Sequence, residues 1–267
     1  VRPIKTSQTS VLKIENLTKS FNGKPVLVGV DFEVYRGQII GYIGPNGAGK
    51  STTVKIMLGL IDKYNGKVEI FGQDIANADV SYKAKIGYVP ENGEVYDDLT
   101  AQEYLTFVGK MYGMTENAID YKAKRLMDKF GIYESFTSRI SSFSKGMKQK
   151  LLIISSILHD PELLFFDEPL SGLDANSVMI VKELMAQLAA EGKTIFYSSH
   201  IMDVVEKISN RIILLADGKV IADGTFEQLK EKNEGTLEQI FNELTGFNEH
   251  EKIASEIVSI VHEGHKS

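Results

Sequence analysis

Apolar positions along this chain fall into short uninterrupted runs that alternate with longer stretches of helical period. Ile39-Ile40-Gly41-Tyr42-Ile43 and Leu163-Leu164-Phe165-Phe166 are runs of strand length, the pattern of strands covered on both faces of a parallel sheet. Val11 to Leu17 and Val28 to Val34 alternate instead, the first only in part. Asn22-Gly23 between them predicts an antiparallel hairpin with one buried face. Residues 66–72 add a short alternating strand, and Ile86 to Val89 an apolar one stopped by Pro90. From Thr100 the period becomes helical. Thr100-Ala101-Gln102-Glu103 has capping-box spacing, with Leu105, Val108, Met111 and Tyr112 recurring behind it. Ala118 to Phe130 repeats that character, and Ser144 to Leu158 predicts a third helix, ended by His159-Asp160-Pro161. These helices predict a helical insertion over about residues 93–155. The strand–helix rhythm then resumes: strand from Leu163, helix 176–191, strand 194–198, helix 202–208, strand 212–216, and a hairpin about Gly218 into Val220. Short helices are expected over 225–232 and 236–244, then an amphipathic or frayed tail from Gly246; Val1 to Ser10 reads as a disordered lead.

The stretch joining the first apolar run to the helix at Thr53 turns architecture into chemistry. Gly44-Pro45-Asn46-Gly47-Ala48-Gly49-Lys50-Ser51-Thr52 is a complete G-x-x-x-x-G-K-[ST] phosphate loop between strand and helix. Gly44, Gly47 and Gly49 remove side chains that would block main-chain N–H groups, here including those about Asn46 and Ala48, from phosphate oxygens. The helix beginning near Lys50 aims its positive end at the same place. Lys50 is expected to reach the β- and γ-phosphates, Ser51 to put a hydroxyl on Mg²⁺, and Thr52 to donate near the α-phosphate. Asp167-Glu168 closes the run at 163–166, at the strand end where open α/β sheets hold their ligands. Asp167 suits Mg²⁺ or its water shell, and Glu168 suits a general base. Alone the pair reads equally as a solvated strand end; beside a phosphate loop it supplies the water chemistry. The fold class expected is α/β, a P-loop NTPase core with an N-terminal antiparallel β subdomain and an inserted helical subdomain.

Composition narrows the partners. In 267 residues with 43% hydrophobic content, a formal net charge of −6 leaves no general basic field for nucleic acid. There is no cysteine, hence neither disulfide nor thiolate metal site. No apolar run approaches bilayer-spanning length, which predicts a soluble chain whose membrane role, if any, comes through a partner.

Phe143-Ser144-Lys145-Gly146-Met147 stands between the helical pair and the acidic strand. Ser144 is a natural N-cap and Gly146 permits close approach, so a second helix start can face phosphate. The chain's own loop already uses one such start; a second suits a nucleotide held by another copy. With the phosphate loop ahead of it and Asp167-Glu168 behind, the chain resembles, over about residues 11–224, the nucleotide-binding subunit of an ATP-binding cassette (ABC) transporter. The family's signature is Leu-Ser-Gly-Gly-Gln. Three of its five positions differ here, the serine and second glycine remain, and the Ser-Lys-Gly-Met form resembles exporter subunits.

The resemblance implies an ATPase of two copies, or of this chain and a closely related subunit, sandwiching two ATP·Mg²⁺ head to tail. Ser144, Gly146 and Asp174, the last from Ser171-Gly172-Leu173-Asp174, would act on the other chain's nucleotide. Phe21 matches the aromatic that stacks on adenine, a core aromatic at a hairpin being the alternative. Glu91 stands where the family usually has a glutamine touching Mg²⁺ or the attacking water, and it cannot donate an amide hydrogen bond. His200, one residue past the strand 195–199, would contact the γ-phosphate, although an isolated histidine is more often structural. An ABC ATPase domain over 11–235, a short helical extension and tail over 236–267, a transmembrane permease partner, no nucleic acid, and a peripheral place at the cytoplasmic face of the membrane complete what the resemblance implies. A soluble ABC ATPase of translation or repair and a non-hydrolytic regulatory cassette are the alternatives. The first would carry two cassettes or a long coiled coil, and the second would not need Lys50, Asp167, Glu168 and His200 together.

Overall fold

The computed structural model describes residues 10–91, 93, 95–199, 201–231, 235–246 and 250–263. The chain opens with β1 (Ser10–Phe21), β2 (Lys24–Tyr35), β3 (Ile39–Ile43), α1 (Lys50–Met57), β4 (Asn65–Ile70), β5 (Gln73–Asp74) and β6 (Ile86–Val89). Helices α2 (Ala101–Met111), α3 (Glu116–Lys129) and α4 (Lys145–Ile157) follow without an intervening strand. The alternating part comprises β7 (Leu163–Asp167), α5 (Ala175–Ala190), β8 (Thr194–Ser198), α6 (Met202–Ile208), β9 (Arg211–Ala216) and β10 (Lys219–Gly224). It closes with α7 (Phe226–Lys230), α8 (Leu237–Thr245) and α9 (His250–Glu263). The tail expected to be amphipathic or frayed from Gly246 is thus a helix over most of its length, with Ile253, Ile257 and Ile260 exposed. Ser10, expected at the end of a disordered lead, pairs with Tyr35 in the first sheet; Val1 to residue 9 lie outside the described residues.

Two sheets carry the architecture. The four-stranded one, in the order β2-β1-β4-β5, is antiparallel throughout, and the six-stranded one runs β10-β9-β3-β8-β7-β6 with only the β9–β10 pair antiparallel. The uninterrupted apolar runs form its centre because both of its faces are covered. Ile39 and Ile43 of β3, Leu164 and Phe166 of β7, and Ile195 and Tyr197 of β8 face a core shared with α2 to α6 and α8. Their alternates Ile40, Tyr42, Leu163, Phe165 and Phe196 face a second core shared with α1 and the antiparallel sheet. Rings join the two sheets: Phe196 lies 4.7 Å from Tyr42, 5.7 Å from Phe165 and 5.9 Å from Phe32 of β2, centroid to centroid.

Local chemistry sets the connections. Asn22 (φ 50°) and Gly23 (φ 78°) both take positive φ, as a two-residue turn matched to strand twist requires. β1 alternates only in part because its register shifts between Ile14 and Leu17, where Asn16 (φ 46°) turns its N–H to Asp31 Oδ1 at 2.7 Å. The capping box at α2 is complete: Glu103 N–H donates to Thr100 Oγ1 at 3.1 Å, and Thr100 N–H to Glu103 Oε2 at 2.8 Å.

The strand that leads to Glu91 is held against α4 by the absence of a side chain. A Cβ on Gly87 would stand 2.2 Å from the Ser156 carbonyl oxygen and 2.8 Å from Leu164 Cδ2. Gly87→Ala is therefore expected to destabilise the fold by about 1–3 kcal/mol through overpacking, seen as a lower urea midpoint at unchanged slope. An unchanged midpoint would mean that β6 and α4 separate freely.

Candidate active site

The loop between β3 and α1 is wedged between two strands from different sheets. A Cβ on Gly44 would lie 2.2 Å from the Leu215 carbonyl oxygen of β9, and one on Gly49 (φ 106°) 2.5 Å from Leu27 Cδ2 of β2. Only glycine follows this path, which brings the loop backbone to the edge of a cavity of about 300 Å³. Val26, Asn46, Gly47, Ala48, Gly49, Lys50, Ser51 and Thr52 line it. No side chain caps α1, so the positive end of the helix opens on the cavity. Lys50 Nζ donates to the carbonyl oxygens of Gly44 at 2.6 Å and Pro45 at 3.1 Å. Burial lowers its pKa, opposed by Asp167, Glu168 and Glu91.

Those three carboxylates, with Ser198, line the same cavity. Asp167 and Glu168 arrive there because β7 runs parallel to β8 and β8 to β3, so the three strands end at one edge. Glu168 sits at φ 49°, in the left-handed region that side chains rarely adopt; its N–H donates to the Ser198 carbonyl at 3.1 Å, and its own carbonyl accepts from the Ser171 N–H at 3.1 Å. Ser198 Oγ donates to Asp167 Oδ1, and Ser199 Oγ to Glu168 Oε2 at 3.3 Å. Among the described lining residues Lys50 is the one cation against three carboxylates, so a bare polyphosphate would meet net negative charge. A divalent cation between carboxylate and phosphate reverses that sign. Ser51, Asp167 and Glu91 supply oxygen donors of the hard kind Mg²⁺ takes. Among the described residues no group of three or more His, Cys, Asp or Glu could hold a metal ion.

A second group of expected residues gathers outside this cavity. Ser144 caps α4, accepting from the Met147 N–H at 3.2 Å. A Cβ on Gly146 would lie 2.7 Å from the Gly172 carbonyl oxygen, so the glycine lets the start of α4 press on the loop after β7. Gln149 Nε2 donates to the Pro169 carbonyl at 3.0 Å, and Lys150 pairs with Asp174 at 3.3 Å. Asp174 caps α5; bonds from the Ser177 hydroxyl (2.6 Å) and N–H (2.9 Å), with Lys150 beside them, hold its carboxyl well below the usual carboxylate range. Ser144, Gly146 and Asp174 thus belong to one continuous surface.

Phe21 ends β1 with its ring 44% exposed and Lys19 Nζ 4.7 Å from its centroid; it is not among the cavity-lining residues, and Val26 is. His200 lies outside the described residues. Three neighbours escaped the sequence reading: Val26, Ser198 and Ser199. The serines were visible as the polar close of the run 194–197, but their carboxylate partners emerge only from strand register.

Comparison with known proteins bears on this geometry directly. Residues 27–171 match the family model described as ABC transporter. The chain belongs to the ABC transporter family. An uncharacterized ABC transporter ATP-binding protein of Methanocaldococcus jannaschii is 38% identical, over 83% of this chain and 80% of its own length. The linearmycin resistance ATP-binding protein of Bacillus subtilis is also 38% identical, over 80% of this chain and 69% of its own. A solved structure of an ATP-binding subunit of an ABC transporter superposes with a TM-score of 0.83 at 33% identity, covering 88% of this chain and 99% of that one. This ABC subunit is an ATP-binding ATPase that powers transport.

Lys50→Ala deletes the one cation of the described lining. ATP affinity measured by calorimetry is expected to fall on the order of tenfold or more, with the fold intact by circular dichroism. Affinity equal to the parent's would remove Lys50 from the phosphate site.

Proposed function

We propose that two copies of this ABC subunit, or one copy and a closely related second subunit, close head to tail around two ATP molecules and hydrolyse them to drive export through a separate transmembrane permease. One observation carries the reading: Asp167, Glu168, Lys50 and Ser51 line a single cavity, while Ser144, Gly146 and Asp174 share a surface outside it. A cavity lined by one half of the expected residues is completed by the other half of a second chain.

In this reading the loop N–H groups and the α1 terminus take the phosphate oxygens, and Lys50 leaves the Gly44 and Pro45 carbonyls for the β- and γ-phosphates. Glu168 accepts a proton from water as the water oxygen bonds to the γ-phosphorus, the bond from phosphorus to the bridging oxygen breaks, and ADP leaves. Ser51 and Asp167, with Glu91 nearby, would hold Mg²⁺, which when bound would supply positive charge against the phosphate oxygens. The partner chain's Ser144 hydroxyl and α4 terminus stabilise the oxygen charge from the far side, with Asp174 fixing the loop beside them. His200 completes the γ-phosphate contacts, and Phe21 stacks on adenine with its exposed face.

Glu91 lies on the wall of this cavity and also of a groove lined by Phe143, Lys148 and Leu152, which supports a role in carrying nucleotide state toward the permease. No helix among the described residues is long and apolar enough to cross a membrane. In this reading the permease is a separate chain or segment, and this subunit docks to it at the cytoplasmic face. Export is supported by Ser144-Lys145-Gly146-Met147 and by the resistance function named for the Bacillus subtilis relative.

Glu168→Gln keeps the shape of the site and removes the base. The variant is expected to bind Mg·ATP like the parent, hydrolyse it 10²- to 10⁴-fold more slowly in single turnover, as roughly follows from loss of a general base, and accumulate as an ATP-dependent dimer in sedimentation. Hydrolysis within a few-fold of the parent would take the base role from Glu168.

A further inference from the structure

At the ends of β7 and β8 two adjacent carboxylates face two adjacent hydroxyls. Asp167 and Ser198 are register partners in the parallel pair, and the Ser198 hydroxyl donates to Asp167 Oδ1. One residue further, the Ser199 hydroxyl donates to Glu168 Oε2 at 3.3 Å and its oxygen accepts from the Ile201 N–H at 3.1 Å. Both serines are only 4% exposed. An N–H can only donate, so Ile201 occupies a lone pair of Ser199 Oγ and leaves the single hydroxyl proton for the carboxylate.

We propose that Ser198 and Ser199 are positioning residues of the ATPase site, Ser198 orienting Asp167 toward the divalent cation and Ser199 orienting Glu168 toward the attacking water. The inference rests on the reading of Asp167 as a cation ligand and Glu168 as the base. The backbone of Glu168 is already pinned, by its N–H to Ser198 and its carbonyl to Ser171, in a conformation of positive φ. Beyond that backbone a glutamate has three side-chain torsions, and the Ser199 hydroxyl holds their far end at Oε2. A hydroxyl suits the task better than a cation. A lysine or arginine in its place would stabilise the ionised carboxylate and weaken it as a base. A neutral donor at 3.3 Å, long for an O–H···O bond, gives direction at little cost in basicity. For Asp167, the Ser198 hydroxyl fixes Oδ1 while the carboxylate lines the cavity.

The two halves are tested by different readouts on the full chain. Ser199→Ala is expected to lower kcat on the order of tenfold to a hundredfold with KM for ATP unchanged, the penalty of a misdirected group, and Ser199→Thr to restore kcat to within about threefold of the parent. Ser198→Ala is expected to weaken Mn²⁺ binding in the presence of a non-hydrolysable ATP analogue, read by electron paramagnetic resonance, whereas Ser199→Ala leaves that binding unchanged. Parental kcat in Ser199→Ala, or a loss that Thr does not rescue, would overturn the Ser199 assignment; parental Mn²⁺ affinity in Ser198→Ala would overturn the other. Glu168→Gln run in parallel separates the levels. If it is inactive while Ser199→Ala is normal, the inference fails and the base stands, and if it turns over like the parent, both fall.

Discussion

Neighbouring parallel strands end at the same edge of a sheet, and the site of this subunit depends on that constraint. β3, β8 and β7 lie side by side in parallel register, so the loop that follows β3 and the carboxylates that end β7 come to one edge although more than a hundred residues separate them. The sheet keeps the arrangement because both of its faces are buried. Shifting β7 by one residue would exchange Leu163 and Phe165 with Leu164 and Phe166 between two filled cores, so the positions of Asp167 and Glu168 are set by packing.

Charge then decides what the edge can hold. Three carboxylates against Lys50 would repel a bare polyphosphate, so the site favours nucleotide together with a divalent cation. The half-buried lysine, its pKa lowered by desolvation, is kept from falling further by those same carboxylates. The start of α4 offers positive potential with no carboxylate in its first turn, and it sits on a different surface. The two helix starts are thus separate, the α1 terminus at the cavity and the α4 terminus outside it, which is the division of labour that the proposed pairing of subunits uses.

Much of this was legible in the sequence wherever a residue's own chemistry carried the information. The central strands stand out because burial on both faces leaves no charged residue in Ile39–Ile43 or Leu163–Phe166. The turns at Asn22-Gly23 and Asp217-Gly218 stand out because those residues tolerate positive φ. The phosphate loop and the acidic pair are readable from spacing. What escaped depends on contacts between distant segments. Val26 reaches the cavity from the other sheet, the Gly172 carbonyl that Gly146 makes room for comes from the loop after β7, and Ser198 and Ser199 find their carboxylates only through register. The bulge at Asn16 hid half of the β1 alternation for the same reason, since its partner Asp31 sits on another strand.

The account stands on Ser144 serving a nucleotide that its own chain does not bind. The direct measurement is an experimental structure of the Glu168→Gln protein with Mg·ATP. The account predicts a dimer in which Ser144 Oγ lies about 3 Å from a γ-phosphate oxygen of the ATP cradled by the other chain's Lys50. Ser144 found against the phosphate of its own chain, or far from both nucleotides, would contradict it.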